Sequence, residues 1–171
     1  DGLEVDPAHE LVRWGSIYWA RIDRIDAKLD AAFLDLDGDV TGILYNKDIR
    51  LTDKKGNVTR GGQKPIGKLL TAGDYILVQS KQGYLEPEFE DSRAYEDKCP
   101  VVSMDIAIQG RYMIYTPLDP ENRISSRIRD KKLRKQLEDM MTALVDFHGF
   151  ILRAAAANTQ SDVLIREAKI L

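Results

Sequence analysis

From residue 16 onward, hydrophobic and polar positions alternate. Residues 16–22 are rich in aromatic and branched side chains, with Tyr18 and Ile22 on one face of a strand and Trp19 and Arg21 on the other. A turn at Asp26-Ala27-Lys28 leads to a second strand over 31–36. Asp37-Gly38-Asp39 is a hairpin signal, because glycine accepts positive φ, and 40–45 is the third strand. Residues 46–73 break the pattern: they are charged, carry Gly56, Gly61, Gly62, Pro65 and Gly67, and read as a long insertion with a mobile tip near 53–62. Residues 74–81 resume a strand, with Tyr75, Leu77 and Gln79 alternating against Ile76, Val78 and Ser80. A hydrophilic loop over 82–97 precedes a fifth strand over 101–108. Five short strands without a helical period or an internal repeat predict a small Greek-key barrel over 14–109, led in by a linker over 1–13.

After Gln109-Gly110 the pattern changes, and 110–171 reads as a second, α+β unit. Residues 111–115, 124–128 and 150–155 are strand-like. A helix over 131–147 is predicted from Leu133, Leu137, Met140, Met141, Leu144 and Val145, which recur at three and four residues, with Gly149 as its stop. A second helix over 159–171 has Thr159 or Ser161 as cap and Val163, Leu164 and Ile170 as apolar face.

Composition adds little to this picture; charge adds more. Apolar residues are 43% and charged residues 31%, as in a globular chain. No apolar stretch approaches a membrane span and no leader is recognisable, so a cytoplasmic protein is expected. The first residue is Asp1, which suggests a piece of a longer protein. Cys99 alone allows neither an internal disulfide nor a cysteine metal cluster. The net charge is −3, but 14–109 holds sixteen acids and thirteen bases whereas 110–171 holds eleven bases and eight acids. The densest basic run, 123–135, has seven Lys or Arg and one acid, Asp130. Such a run fits a solvated helix face as well as a nucleic-acid footprint.

The residues offer no catalytic constellation. Asp35, Asp37 and Asp39 alternate along a hairpin, where solvated turn carboxylates are the ordinary reading and a Mg²⁺ site the sharper one. His9 and His148 are far apart, Cys99 stands beside Pro100 without a basic helper, and no phosphate-cradling glycine loop is present. No cofactor is expected in this chain.

Five stretches in order carry a family resemblance: Gly15-Ser16-Ile17-Tyr18, Leu29-Asp30-Ala31-Ala32-Phe33-Leu34-Asp35, residues 106–110 followed by Arg111-Tyr112, Ile124-Ser125-Ser126-Arg127-Ile128, and Gly149-Phe150-Ile151-Leu152-Arg153. Together they resemble the ribonuclease E/G family. The resemblance implies an α+β fold: a five-stranded OB barrel of the ribosomal S-one type, then a subdomain that senses an RNA 5′-monophosphate. It implies single-stranded RNA as partner, no membrane span, and a parent Mg²⁺-dependent endoribonuclease of RNA processing or decay. The parent's nuclease module and the Cys-x-x-Cys zinc link used for oligomerisation would lie further C-terminal, so this chain alone is expected to be inactive. Phe33 falls on the family's RNA-stacking aromatic, Ile43 on a second stacking position where no π face remains, and Lys98 on an RNA-contacting lysine. Trp19 and Arg21 stand beside them as candidates, because OB barrels bind single strands through aromatics and basic side chains on an outer strand face. Tyr45 also fits a core or edge aromatic.

For the end sensor, Arg153 matches the family's phosphate-binding arginine, and Gly110 and Ile114 match positions that approach the terminal nucleotide. Arg127 is retained from the family's Ile-Ser-Arg-Arg-Ile run, whose first arginine is Ser126 here. Ala154 replaces the family's threonine and removes one hydroxyl donor to phosphate. Two other functions fit the residues: a stand-alone, non-catalytic RNA-binding regulator, and a protein–protein adaptor on an OB scaffold with the basic helix docking an acidic partner.

Overall fold

The alternating segments close on themselves. The computed structural model describes residues 10–38, 40–81, 84–85, 99–143 and 148–171. In chain order the first strands are β1 (Glu10–Val12), β2 (Ile17–Asp26), β3 (Ala31–Asp35), β4 (Thr41–Tyr45), β5 (Arg50–Thr52), β6 (Val58–Arg60), β7 (Tyr75–Ser80), β8 (Tyr84–Leu85) and β9 (Val101–Ser103). Strands β2-β3-β4-β9-β7 form a closed barrel, antiparallel except for the parallel β4–β9 pair. A five-stranded mixed barrel of this order is an OB-type barrel. Its interior takes Ala20 and Ile22 from β2, Ala32 and Leu34 from β3, Leu44, Ile76, Val78 and Val102. Each large aliphatic side chain buried there contributes about 1.5–3 kcal/mol.

Strand β2 runs past the expected end at Ile22, and a bulge makes this possible. The register slips between Ile22 and Arg24, so that Arg24 opposes Phe33 and Ile25 opposes Ala32. Strict alternation from Tyr18 and Ile22 would drive Arg24 into the core. The extra residue, Asp23, turns Arg24 outward and lets Ile25 pack on the interior instead.

The expected lead-in is partly structural: β1 pairs with β8, and Val12 is buried in the barrel core. The tip of the insertion lies on a hairpin, β5–β6. Its turn is held by Asp53, whose carboxylate accepts from the Asn57 side chain and from the Asn57 and Lys55 N–H groups. These donors, the Asn57 amide foremost, hold the Asp53 carboxyl below its ordinary 3.8. Asp26 is lowered in the same way by the Leu29 and Lys28 N–H groups. A lowered carboxyl pKa contributes stability that is present above the ordinary value and lost as pH falls through the lowered one.

The insertion is tied to the barrel by one amide. Asn46 is 3% exposed. Its Nδ2 donates to Asp30 Oδ2 at 2.8 Å and to the Lys64 carbonyl at 2.7 Å, and its Oδ1 accepts from Gly62 N–H at 2.9 Å. Asp30, in the left-handed region at φ 49°, also accepts from Ile66 N–H. The backbone at Gly61 passes so close that a Cβ there would stand 1.7 Å from the Asn46 carbonyl oxygen.

The chain leaves the barrel earlier than expected. Strand β9 ends at Ser103, Met104 N–H donates to the Asp48 carbonyl, and the fold divides between Asp105 and Ile106. The cause is pairing: β10 (Ile108–Gln109), expected as the tail of the fifth barrel strand, binds β11 (Met113–Tyr115). The second unit continues with β12 (Arg123–Ile124), α1 (Lys131–Ala143), β13 (Phe150–Leu152) and α2 (Ser161–Ile170). Its sheet order is β10-β11-β13-β12, with β12 and β13 parallel, and Met113, Ile128, Leu137, Met141, Phe150, Leu152, Leu164 and Ala168 form its core.

Several expectations need correction. Strand β12 ends at Ile124, and Ile128 instead packs as a core residue beyond a turn. The positions Leu144 and Val145 of the first helix lie outside the described residues. Gly149, at φ 78°, sits against the Thr116 and Asp119 carbonyls, where a Cβ would come within 2.5 and 2.7 Å; its described role is this close approach. Strand β13 stops at Leu152, and 154–158 form a 3-10 segment. Neither Thr159 nor Ser161 caps α2: Gln160 is its N-cap, with no side-chain bond, and Thr159 Oγ1 donates back to the Ala155 carbonyl. Ala168 joins Leu164 on the buried face, while Ile170 is 77% exposed. Among the described residues no helix is long and apolar enough to cross a membrane.

Two outcomes are expected. Asn46→Ala leaves two acceptors and one N–H without their partner and should lower unfolding free energy by about 2–4 kcal/mol, read by urea denaturation. The midpoint of the pH-dependent shift of the Asn57 amide resonance should fall below 3.8, since the hydrogen-bonded Asp53 carboxylate holds the turn until it protonates.

Candidate functional site

The strands of the barrel carry one set of candidates on their outer face. Before the bulge, the outward positions of β2 are Ile17, Trp19 and Arg21; on β7 they are Tyr75 and Leu77, in register so that Trp19 opposes Leu77 and Arg21 opposes Tyr75. Ile17, Trp19, Tyr75 and Leu77 are all exposed. The Trp19 and Tyr75 rings lie 6.2 Å apart and within 14° of parallel. With 65% and 54% of their surface open, both keep free π surface. Arg21 sits on the same face, 3.7 Å from the Asp23 carboxylate.

On the other side of β2, Phe33 opposes Ile43 of β4 across the β3–β4 pair. Phe33 is half-buried and points away from the barrel core, and the Arg24 guanidinium lies 3.6 Å above its ring. A base reaching Phe33 therefore displaces Arg24 or stacks on its plane. Ile43 is buried but stands outside the core cluster. Tyr45 is exposed at the end of β4 with the Lys47 ammonium 5.9 Å from its ring. Lys98 lies outside the described residues.

The second unit assembles the other set. The guanidinium of Arg153, immediately after β13, donates to the Gly110 carbonyl at 2.7 Å, and its backbone N–H donates to the Tyr112 carbonyl. Ile114 opposes Ile151 on the neighbouring strand, half-buried on the face opposite the core residues Met113 and Leu152. Arg153 and Gly110 are thus in contact, while Ile114 pairs with their chain neighbours Gln109 and Ile151. Ala154 is exposed and opens the 3-10 segment next to Arg153. Arg127 is exposed in the turn after β12, its N–H donating to Ser125 Oγ at 3.3 Å.

Glu167, on α2, was not anticipated. Its carboxylate accepts three consecutive backbone N–H groups: Arg111 at 2.6 Å, Tyr112 at 2.9 Å and Met113 at 3.1 Å. A Cβ on Gly110 would come within 2.8 Å of the same carboxylate. The backbone donors that could cradle an external anion here already hold an internal one, so an added anion would have to be met by side-chain donors such as Arg153. No pattern in the sequence marks Glu167, because its partners are backbone groups some 55 residues earlier. Tyr75 was within reach: the alternation of β7 puts it outward, but only the β2–β7 register sets it beside Trp19.

The aspartate hairpin is a turn device. Asp35 Oδ1 accepts Gly38 N–H at 2.6 Å, with Gly38 at φ 79°. Among the described residues no group of three His, Cys, Asp or Glu could hold a metal ion; Asp39 and His9 lie outside them.

Fold and site together define an OB-barrel protein with an appended α+β unit. Residues 107–171, nearly all of that unit, match the Ribonuclease E/G family. Ribonuclease E of Escherichia coli (strain K12) is 26% identical over 160 residues, which are 92% of this chain and 14% of that protein. Ribonuclease G of Salmonella typhimurium (strain SL1344) is 26% identical over 92% of the chain and 31% of its own length. A Ribonuclease E/G-like protein of Pyropia yezoensis is 27% identical over 99% of the chain and 30% of its own length. The chain is thus similar to the Ribonuclease E/G family over most of its second unit, and it spans less than a third of the length of these relatives.

Glu167→Gln replaces a charge-assisted acceptor of three N–H groups with an amide that offers one oxygen. It should destabilise the second unit by about 1.5–3 kcal/mol, seen as a lower thermal midpoint, and accelerate hydrogen exchange at Arg111–Met113. Unchanged exchange at those amides would show that the carboxylate does not hold the segment.

Proposed function

We propose that this chain is the RNA-gripping part of a ribonuclease E/G-type endoribonuclease, holding single-stranded RNA on the barrel and reading a 5′-terminal phosphate on the second unit. The observation that carries the reading is the outer face of the barrel, where Trp19 and Tyr75 expose near-parallel rings beside Arg21. Bases stack on such rings irrespective of sequence, and the barrel type commonly binds oligonucleotides on its strand face. The relatives' names support RNA as the substrate class. Phe33, capped by Arg24, extends the face, while Ile43 offers packing without a π system. Cleavage belongs to the longer parent on this reading, and this chain contributes grip and end recognition.

At the second unit, Arg153 and the Gly110 turn form the phosphate corner, with Ile114 as packing surface for the terminal nucleotide. Since Glu167 occupies the backbone donors and Ala154 lacks a hydroxyl, the corner should discriminate weakly between a 5′-phosphate and a 5′-hydroxyl.

The test is RNA affinity of the 171-residue chain, measured by fluorescence anisotropy with matched 5′-phosphate and 5′-hydroxyl oligonucleotides. Trp19→Ala and Phe33→Ala should each weaken both RNAs by about 1–3 kcal/mol with the fold intact by circular dichroism. Ala154→Thr should widen the preference for the phosphorylated end by about 1–2 kcal/mol. Equal affinities for the two ends in both proteins would reduce Arg153 to a structural role, and undiminished binding by Trp19→Ala and Phe33→Ala would overturn the barrel reading.

A further inference from the structure

The basic run noted in the sequence divides into two parts once folded. Arg123 is paired with Asp119, and Arg134 donates to the Ser125 and Ile128 carbonyls. The other five, Arg127, Arg129, Lys131, Lys132 and Lys135, are exposed, and none is ion-paired among the described residues. On α1, Lys131, Lys132 and Lys135 fall within one 100° arc opposite the buried Leu137 and Met141.

Their placement opposes the local electrostatics. The first turn of α1 contains no acid, and the helix acids Glu138 and Asp139 come later, so the positive end of the dipole carries the cations. Asp130 supplies the cap, accepting from Lys132 and Leu133 N–H. Those two backbone donors are thus occupied, and Asp130 is the one acid within a patch of side-chain cations that form no ion pair among the described residues. It also adjoins the phosphate corner: Ser125 N–H donates to the Leu152 carbonyl at 2.8 Å, one residue before Arg153.

We propose that Arg127, Arg129, Lys131, Lys132 and Lys135 form a track for the phosphodiester backbone of RNA, leading away from an end held at Arg153. The inference rests on the RNA reading above. A run of unpaired cations beside a phosphate site gains free energy by releasing the counterions of a polyanion, and needs no base-specific contact.

The test uses the intact chain and the variant Arg129→Gln/Lys131→Gln/Lys132→Gln/Lys135→Gln, with a 5′-monophosphorylated uridine decamer and the corresponding dinucleotide. The variant should fold with an equal or higher thermal midpoint, because repulsion at the helix entry is relieved. Decamer affinity should fall roughly tenfold or more, and the slope of log affinity against log salt should shrink by about 0.7 per contact removed. Dinucleotide affinity should not change. Equal losses for the two RNAs, or no loss for the decamer, would overturn the track while leaving the barrel reading standing. Failure of the unmodified chain to bind the decamer would overturn both. Tighter binding of polyglutamate than of the decamer, lost in the variant, would assign the patch to an acidic protein instead.

Discussion

The Asn46 side chain donates to Asp30 and the Lys64 carbonyl and accepts from Gly62, and these bonds join three pieces of chain that local sequence does not connect. A residue 3% exposed cannot leave such bonds unmade without the full desolvation cost of each group. The β2–β3 turn, the end of β4 and the return of the insertion are therefore fixed together. Asp30 adopts positive φ to take part, and Gly61 is needed because no side chain fits against the Asn46 carbonyl. The insertion is thereby part of the barrel's scaffold.

The second unit uses a carboxylate for a similar purpose. Glu167 gathers three backbone N–H groups, and the turn it organises presents the Gly110 carbonyl to Arg153. A structural anion and a candidate anion-binding cation thus share one short segment without contacting each other as an ion pair among the described residues. Backbone donors committed to Glu167 cannot serve a ligand, so on the proposed reading recognition of an incoming phosphate falls on the guanidinium and on whatever hydroxyl stands beside it.

The two units differ in what they expose. The barrel's outer β2–β7 face is apolar and aromatic with one arginine, whereas the entry to α1 is basic and nearly free of apolar side chains. On the proposed reading, stacking in the first unit and phosphate contacts in the second are complementary, since stacking is insensitive to salt and counterion release is not. The net charge of −3 conceals this separation, because acids in 1–109 outweigh a basic second unit.

Much of the fold was legible in the sequence. Period-two alternation located all five barrel strands, and the three-and-four spacing of Leu133, Leu137, Met140 and Met141 located α1, because burial on one face imposes a local periodicity. The placement of Trp19 opposite Tyr18 and Ile22 followed from the same alternation, whereas the outward Phe33 was implied by the family resemblance. What alternation cannot express is a change of phase or a partner distant in sequence. The bulge at Asp23 reverses the parity that would have buried Arg24; Ile108 and Gln109 read as a continuing strand until β11 is available to pair with them. Tyr75 meets Trp19 only through the β2–β7 register, and Glu167 finds its donors only when α2 packs beside β11. Strand and helix identity came from local periodicity. Strand ends, side-chain neighbours and the occupant of the backbone donors were decided by tertiary structure, since each depends on hydrogen bonds closed between residues tens of positions apart.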